Sequence, residues 1–147
     1  MASFTIIETI DAEPNVVFDA LTDLEKLPER IEGITGIELL TEGRVGVGSQ
    51  FKETRVMFGK EASETMTVSE LERPTRLVFT ADSHGCAYVT THSLRTENDK
   101  TVVELTFEGK PHKPIAKLLA FMMKPMMKSC EKASAQDLAD LKQSLEA

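Results

Sequence analysis

Cysteine is scarce in this chain of 147 residues, which carries only Cys86 and Cys130. Two thiols cannot build a disulfide framework, and so few of them favour a reducing compartment, so the cytoplasm is the expected location. Long apolar runs are missing too, and none approaches the about 18 residues that a membrane span requires. The opening stretch "MASFTIIETIDAEP" has neither a basic leader nor a long apolar core, which argues against a secretory signal. Positive charge is in short supply: 17 Lys and Arg against 24 Asp and Glu leave a net charge of −7. A chain this acidic is repelled by nucleic-acid phosphates unless it gathers its cations into one patch. The densest basic stretch, Lys110 to Lys128, is short and apolar between its charges, so no nucleic-acid partner is expected. Repeats, low-complexity tracts and linkers are absent as well. The expectation is one domain over residues 1–147, long enough to bury roughly two-thirds of its unfolded surface.

Several chemistries lack their residues. "HGC" (His84 to Cys86) has no second ligand pair at a zinc spacing, so no metal and no other cofactor is expected. A Cys-His nucleophile would need an orienting third group, and no Ser stands in an elbow motif. "GRVGVG" resembles a phosphate loop only in composition, because it leads into the strand-like "SQFKETRVMF" rather than into a helix.

What is present is a strand-rich pattern closed by a helix. "SFTIIETI" (Ser3 to Ile10) predicts a strand. Pro14 suits a first helical turn, and Val17, Phe18, Leu21 and Leu24 recur at helical spacing until Pro28 interrupts them, predicting short helices at 14–22 and 24–30. Gly33 to Leu40 is the next strand. Strands follow at 49–58, 61–71, 76–82, 86–96 and 101–109, separated by turns at Gly59-Lys60, Arg73-Pro74, Ser83-His84 and Asn98-Asp99. A final helix spans 113–145, with Ile115, Leu119, Met122, Met126, Cys130 and Ala133 on one face and Leu138, Leu141 and Leu145 continuing near it. Seven antiparallel strands and one long amphipathic helix bury both apolar faces when the sheet wraps around the helix. The predicted class is therefore α+β, a curved sheet gripping a C-terminal helix.

Strand alternation then selects the inner face. It comprises Cys86, Tyr88, Thr90, His92 and Leu94 in one strand, Val103, Leu105 and Phe107 in the next, and Leu77, Phe79 and Ala81 in a third. Met66 and Val68 bring Ala62, Glu64 and Glu70 with them. A two-residue turn at Gly59-Lys60 predicts Phe51 opposite Val68, Glu53 opposite Met66, Arg55 opposite Glu64 and Met57 opposite Ala62. The same arithmetic sets Phe79 beside Tyr88 and His92 beside Leu105. Glu53, Arg55 and Glu64 thus form an inward polar cluster with Tyr88 deeper, and Arg55 facing Glu64 is the expected ion pair. Such a cluster either contacts a ligand, transfers protons or serves as a structural ion pair. His92, alone on an apolar face, reads first as a satisfied core group. His84 and His112 are expected in solvent.

The chain resembles the START-like superfamily, which includes polyketide cyclases and dehydrases, pollen-allergen-type binders and lipid-transfer domains. The resemblance rests on "IDAEPNVVFDALTDLEKLPERIEGI", "VGVGSQF", "VSELERPTRLVF" and "LADLKQSLEA", and covers nearly the whole chain. It implies a helix-grip fold with a hydrophobic cavity between sheet and helix. On that basis the expected function is binding of a small hydrophobic or amphipathic molecule. Phe51, Met66, Phe79, Tyr88, Phe107, Leu119, Met122 and Met126 would line the cavity, with Glu53, Arg55 and Glu64 at its polar end. The first alternative is a cyclase-like or dehydrase-like enzyme in which Glu53, Glu64, Tyr88 or His92 moves protons. The second is an adaptor for a protein partner. The oligomeric state leaves no mark in the sequence.

"FMMKPMMKSC" (Phe121 to Cys130) holds four of the chain's seven methionines. Thioethers at helical spacing suit Cu(I), but Met122, Met126 and Cys130 continue the stripe expected to face the sheet, where adaptable methionines line a pocket. Pro125 predicts a kink there. Lys117, Lys124, Lys128 and Lys132 are expected on the solvated back of this helix; a membrane-surface face is the less favoured reading.

Overall fold

The backbone hydrogen-bond ladder runs β1-β7-β6-β5-β4-β3-β2, a seven-stranded antiparallel sheet. The computed structural model describes residues 2–57, 59–83, 85–114 and 124–146. Its strands are β1 (Ala2–Ile10), β2 (Ile34–Leu39), β3 (Gln50–Met57), β4 (Lys60–Glu72), β5 (Arg76–Ser83), β6 (Cys86–Glu97) and β7 (Lys100–Pro111). Between β1 and β2 come α1 (Pro14–Thr22), a 3-10 turn (Leu24–Lys26) and α2 (Leu27–Arg30), while α3 (Lys124–Glu146) is the described part of the C-terminal helix. Pro14 opens α1 in the position where a missing N–H costs nothing. Each predicted strand and the first short helix are found with ends within two residues of those expected, while the expected helix 24–30 divides into the 3-10 turn and α2.

The first and last strands pair with each other, Phe4 opposite Phe107 and Ile6 opposite Leu105, at one edge of the sheet, so the chain's two ends meet there. Register shifts between Ile34 and Gly36 in β2, and between Val68 and Glu70 in β4, mark bulges, which bend a strand and increase its twist. The β4 bulge corrects one assignment. After it, Leu71 packs on the core and Glu70 turns outward to Arg76, 3.1 Å away.

Two of the three expected registers move by two residues. Phe51 opposes Met66, Glu53 opposes Glu64, Arg55 opposes Ala62 and Met57 opposes Lys60. Tyr88 opposes Ala81, and Phe79 opposes Thr90. The cause is the glycine position. Gly59 and Gly85 both sit at positive φ, +74° and +80°, and each takes the second place of its two-residue loop, one residue earlier or later than expected. At the third hairpin Asn98 and Asp99 both adopt positive φ, and His92 opposes Leu105 as expected. A two-residue slip leaves every side chain on its face, so the inner set survives while its partners change.

One end of the concave face is closed by α1, the 3-10 turn and α2. Ile10, Val17, Phe18, Leu77, Val103 and Leu141 are all fully buried there. Arg73 lies over the Phe18 ring at 5.1 Å and pairs with Asp19. Buried hydroxyls are bonded: Thr22 Oγ1 donates to Phe18 O at 3.0 Å, and Thr101 Oγ1 to Ala12 O at 2.7 Å. The helix α3 is tied down at its far end, where Lys142 Nζ donates to Thr9 O at 2.7 Å and the Asp11 amide donates to Glu146 at 2.8 Å.

The phase of α3 corrects another expectation. Met127, Cys130, Leu138, Leu141 and Leu145 face the core, whereas Met126 is 47% exposed. The inward stripe is set by the three leucines near the C-terminus, and counting back from them at helical spacing reaches Met127 rather than Met126. Leu119, Met122 and the turn preceding Pro125, where a kink was expected, lie outside the described residues, as do Phe58 and His84.

Candidate functional site

Toward the β3–β4 hairpin the concave face changes character. Met66, Phe79, Tyr88 and Phe107 point inward yet are only partly buried. Aromatic rings connect them: Phe4 stacks on Phe107 at 5.3 Å, Phe107 on Tyr88 at 5.6 Å, and Phe51 meets Phe79 edge-on at 5.1 Å. Phe51 itself is fully buried. Gly109, opposite Tyr88 in the sheet, makes room for the ring, since a Cβ there would stand 3.2 Å from the Tyr88 Cε1 and 3.7 Å from the Met127 methyl.

The polar cluster sits at the outer edge of this region and is built differently from the expected pair. Arg55 does not bond Glu64. Its Nη2 donates to Glu53 Oε1 at 3.1 Å and to Asp137 Oδ2 at 2.8 Å, and its Nη1 reaches Asp137 Oδ1 at 3.5 Å. The two-residue register shift carries Glu64 past Arg55 and sets it opposite Glu53. Asp137 is the residue that sequence reasoning missed. It comes from α3, 82 positions from Arg55 in the chain, and its only local sign is a carboxylate beside the buried Leu138. The guanidinium therefore clamps strand to helix.

Burial pushes the Glu53 carboxyl above its ordinary range, partly offset by Arg55. Burial does the same to Asp137, again against the pull of Arg55. For Arg55 burial opposes the charge, but Glu53 and Asp137 outweigh it and hold the guanidinium firmly protonated. Burial, then Cys86, then the charge of Glu64 push the Tyr88 phenol up to about 12, so it remains a neutral donor. Burial also raises Cys130. Among the described residues the Glu64 Oε1 atom is buried and has no hydrogen-bond partner. A buried carboxylate oxygen left unpaired is costly.

The remaining candidates lie elsewhere. His92 is buried in the packed half, its Nδ1 3.3 Å from Leu77 O and its ring edge-on to Phe79. Burial lowers its pKa to about 4, which keeps the imidazole neutral. His112, which was expected to be free in solvent, is exposed but reaches Asp82 at 2.9 Å. Behind the Arg55 clamp an open cleft of about 270 Å³ is lined by Glu32, Gly33, Arg55, Val56, Ala133, Gln136, Asp137 and Asp140. No described helix is long and apolar enough to cross a membrane.

A curved seven-stranded antiparallel sheet, two short helices between its first two strands and a long C-terminal helix define a START-like, helix-grip protein. The chain belongs to the family described as polyketide cyclase / dehydrase and lipid transport, whose model matches residues 1–146. Among solved structures it is similar to a ginseng (Panax ginseng) major latex-like protein, with a TM-score of 0.78 and 11% identity over 98% of this chain and 97% of that one. A START superfamily protein of Mycobacterium smegmatis aligns with a TM-score of 0.78 and 14% identity, over 98% and 97% of the two chains. A di-domain ARO/CYC protein of the steffimycin biosynthetic pathway gives 0.79 and 15%, covering 98% of this chain but 50% of the larger one. No curated protein sequence matches this chain significantly.

Proposed function

We propose that this protein binds a small hydrophobic or amphipathic molecule between the sheet and the C-terminal helix. The observation that carries the reading is the incomplete burial of Met66, Phe79, Tyr88 and Phe107, large side chains that point to the interior beside a buried polar cluster. An apolar guest would cover their remaining surface, at roughly 25 cal/mol per Å². Met127 and Cys130 take the helix side of that lining, in place of Met126, and Leu119 and Met122 are proposed to extend it. Native mass spectrometry of the purified protein, followed by organic extraction, tests the idea. A bound adduct that reappears when the stripped protein meets lipids or polycyclic aromatics is the expected result. A protein that stays empty through such a panel would overturn it.

A second reading is an enzyme of the cyclase type, favoured by one feature: two carboxylates, Glu53 and Glu64, face each other near the Tyr88 phenol. Proton transfer from such a pair predicts a pH-dependent rate that Glu53→Gln and Glu64→Gln each abolish. Changes in affinity alone would leave the binding reading standing.

A further inference from the structure

The polar end of the site has an unbalanced charge inventory. Three carboxylates, Glu53, Glu64 and Asp137, share one guanidinium, and Arg55 is already engaged by two of them. Glu64 is the odd member. Its neighbour across the ladder is another carboxylate, its Oε1 is buried, and no described residue donates to it. Like charges directly opposite in a sheet are unfavourable, and a buried acceptor without a donor adds to the cost. Nothing in the packing of β3 against β4 requires a carboxylate there, since Met66 two residues on sits on the same face as an ordinary apolar side chain.

The missing partner must reach Glu64 from the interior. Glu64 lies two residues from Met66 on β4, and so on the strand face whose Met66 packs against the core, directly across from the half-buried Glu53. Glu64 as a whole is half-buried, and its covered Oε1 belongs to the same inner face as Met66 and the partly buried aromatic rings. A fourth anion placed here would face a net negative cluster, whereas a donor would satisfy the orphan oxygen and an ammonium would also balance charge.

We propose that the guest molecule carries a hydrogen-bond-donating head, an ammonium or a hydroxyl, which docks on the Glu64 carboxylate, and that carboxylate-headed amphiphiles are rejected. This deepens the binding reading above and rests on it. The site then selects amphiphilic amines and alcohols over free fatty acids of the same chain length. Chain length and shape are left to the aromatic lining; the head group is chosen by one unpaired oxygen.

Isothermal titration of the ligand-stripped protein with dodecylamine, dodecanol and dodecanoate, at neutral pH and below their micellar concentrations, tests this. The expected order is amine, then alcohol, then acid, with amine over acid by about tenfold or more, the size of one charge-assisted hydrogen bond. In Glu64→Gln the amine should fall to the level of the alcohol, because the amide keeps an acceptor and loses the charge. Circular dichroism and a melting curve unchanged from the parent confirm that this variant folds. Dodecanoate binding as tightly as dodecylamine, or an amine preference that persists in Glu64→Gln, would overturn the head-group inference while leaving the cavity reading intact. If none of the three binds and hydrophobic aromatics are refused as well, the cavity reading falls and takes this inference with it.

Discussion

The two halves of the concave face are made from the same strands but finished in opposite ways. Beneath α1 and α2, Phe18, Leu77, Val103 and Leu141 are sealed from water, and the buried polar groups Thr22, Thr101 and His92 each have a backbone carbonyl as partner. Toward the β3–β4 hairpin, Phe79, Tyr88 and Phe107 keep exposed surface, and a buried carboxylate oxygen lacks a donor among the described residues. The first half is finished for stability, with Arg30 Nη1 on α2 its one buried side-chain polar atom without a hydrogen bond among the described residues. The second retains unsatisfied apolar and polar surface, which is the condition for binding something else. Arg55, bridging Glu53 on β3 and Asp137 on α3, marks the outer limit of the unfinished half.

The contrast predicts unequal responses to the same truncation. Phe18→Ala should cost about 3–5 kcal/mol, since it opens a cavity in a close-packed region and removes the platform under Arg73. Phe107→Ala should cost about 1–2 kcal/mol, because its ring is already partly in contact with solvent. Urea denaturation of both variants measures the difference; equal losses would erase the distinction between the halves.

Acid should also separate them. His92 has its pKa lowered from 6.5 to about 4 by burial, so the stability it confers is complete above 6.5 and lost as pH falls toward 4. That shift corresponds to about 3 kcal/mol at its full extent. Glu53 and Asp137 respond with the opposite sign. Their folded pKa values are raised, chiefly by burial, so the folded state binds the extra protons and stability gains as pH drops through their folded values. His92→Phe should therefore flatten the acid limb of the stability–pH curve, and Glu53→Gln should steepen it. An acid limb that His92→Phe leaves unchanged would show that burial of this imidazole does not govern it.

The smallest effect concerns Glu64. In ligand-stripped protein Glu64→Leu should raise stability by about 1 kcal/mol, because it removes an orphaned buried acceptor. The melting temperature should rise by about 2–4 °C, while affinity for an amine-headed guest falls. A drop in melting temperature would mean that Glu64 is satisfied in the free protein.

Much of the architecture was legible in the residues. Alternation in β4 to β7 selected Met66, Phe79, Tyr88, His92, Leu105 and Phe107 as inward, and all of them are, whereas Glu70, selected with them, is turned out past the β4 bulge. Pro14 placed α1, whereas Pro28 opens α2 inside the span expected as one helix. Period-two and helical patterns are local, so they can be read without knowing the fold. The hairpin registers were less legible, because one glycine can occupy either position of a two-residue loop, and only strand pairing decides which.

The site shows where local reading ends. The sequence alone put Glu53, Arg55 and Glu64 on one face with Tyr88, by strand alternation together with a hairpin register that the structure moves by two residues, a shift that leaves faces unchanged. It also determined that the C-terminal segment is an amphipathic helix. Only the tertiary structure decided that Asp137 rather than Glu64 holds Arg55, that Met127 rather than Met126 turns inward, and that Glu64 Oε1 has no partner among the described residues. Each of these depends on how far one element slides or rotates against another, by two residues along a ladder or one position around a helix. Such offsets leave the hydrophobic pattern of either element unchanged, and packing between distant segments sets them.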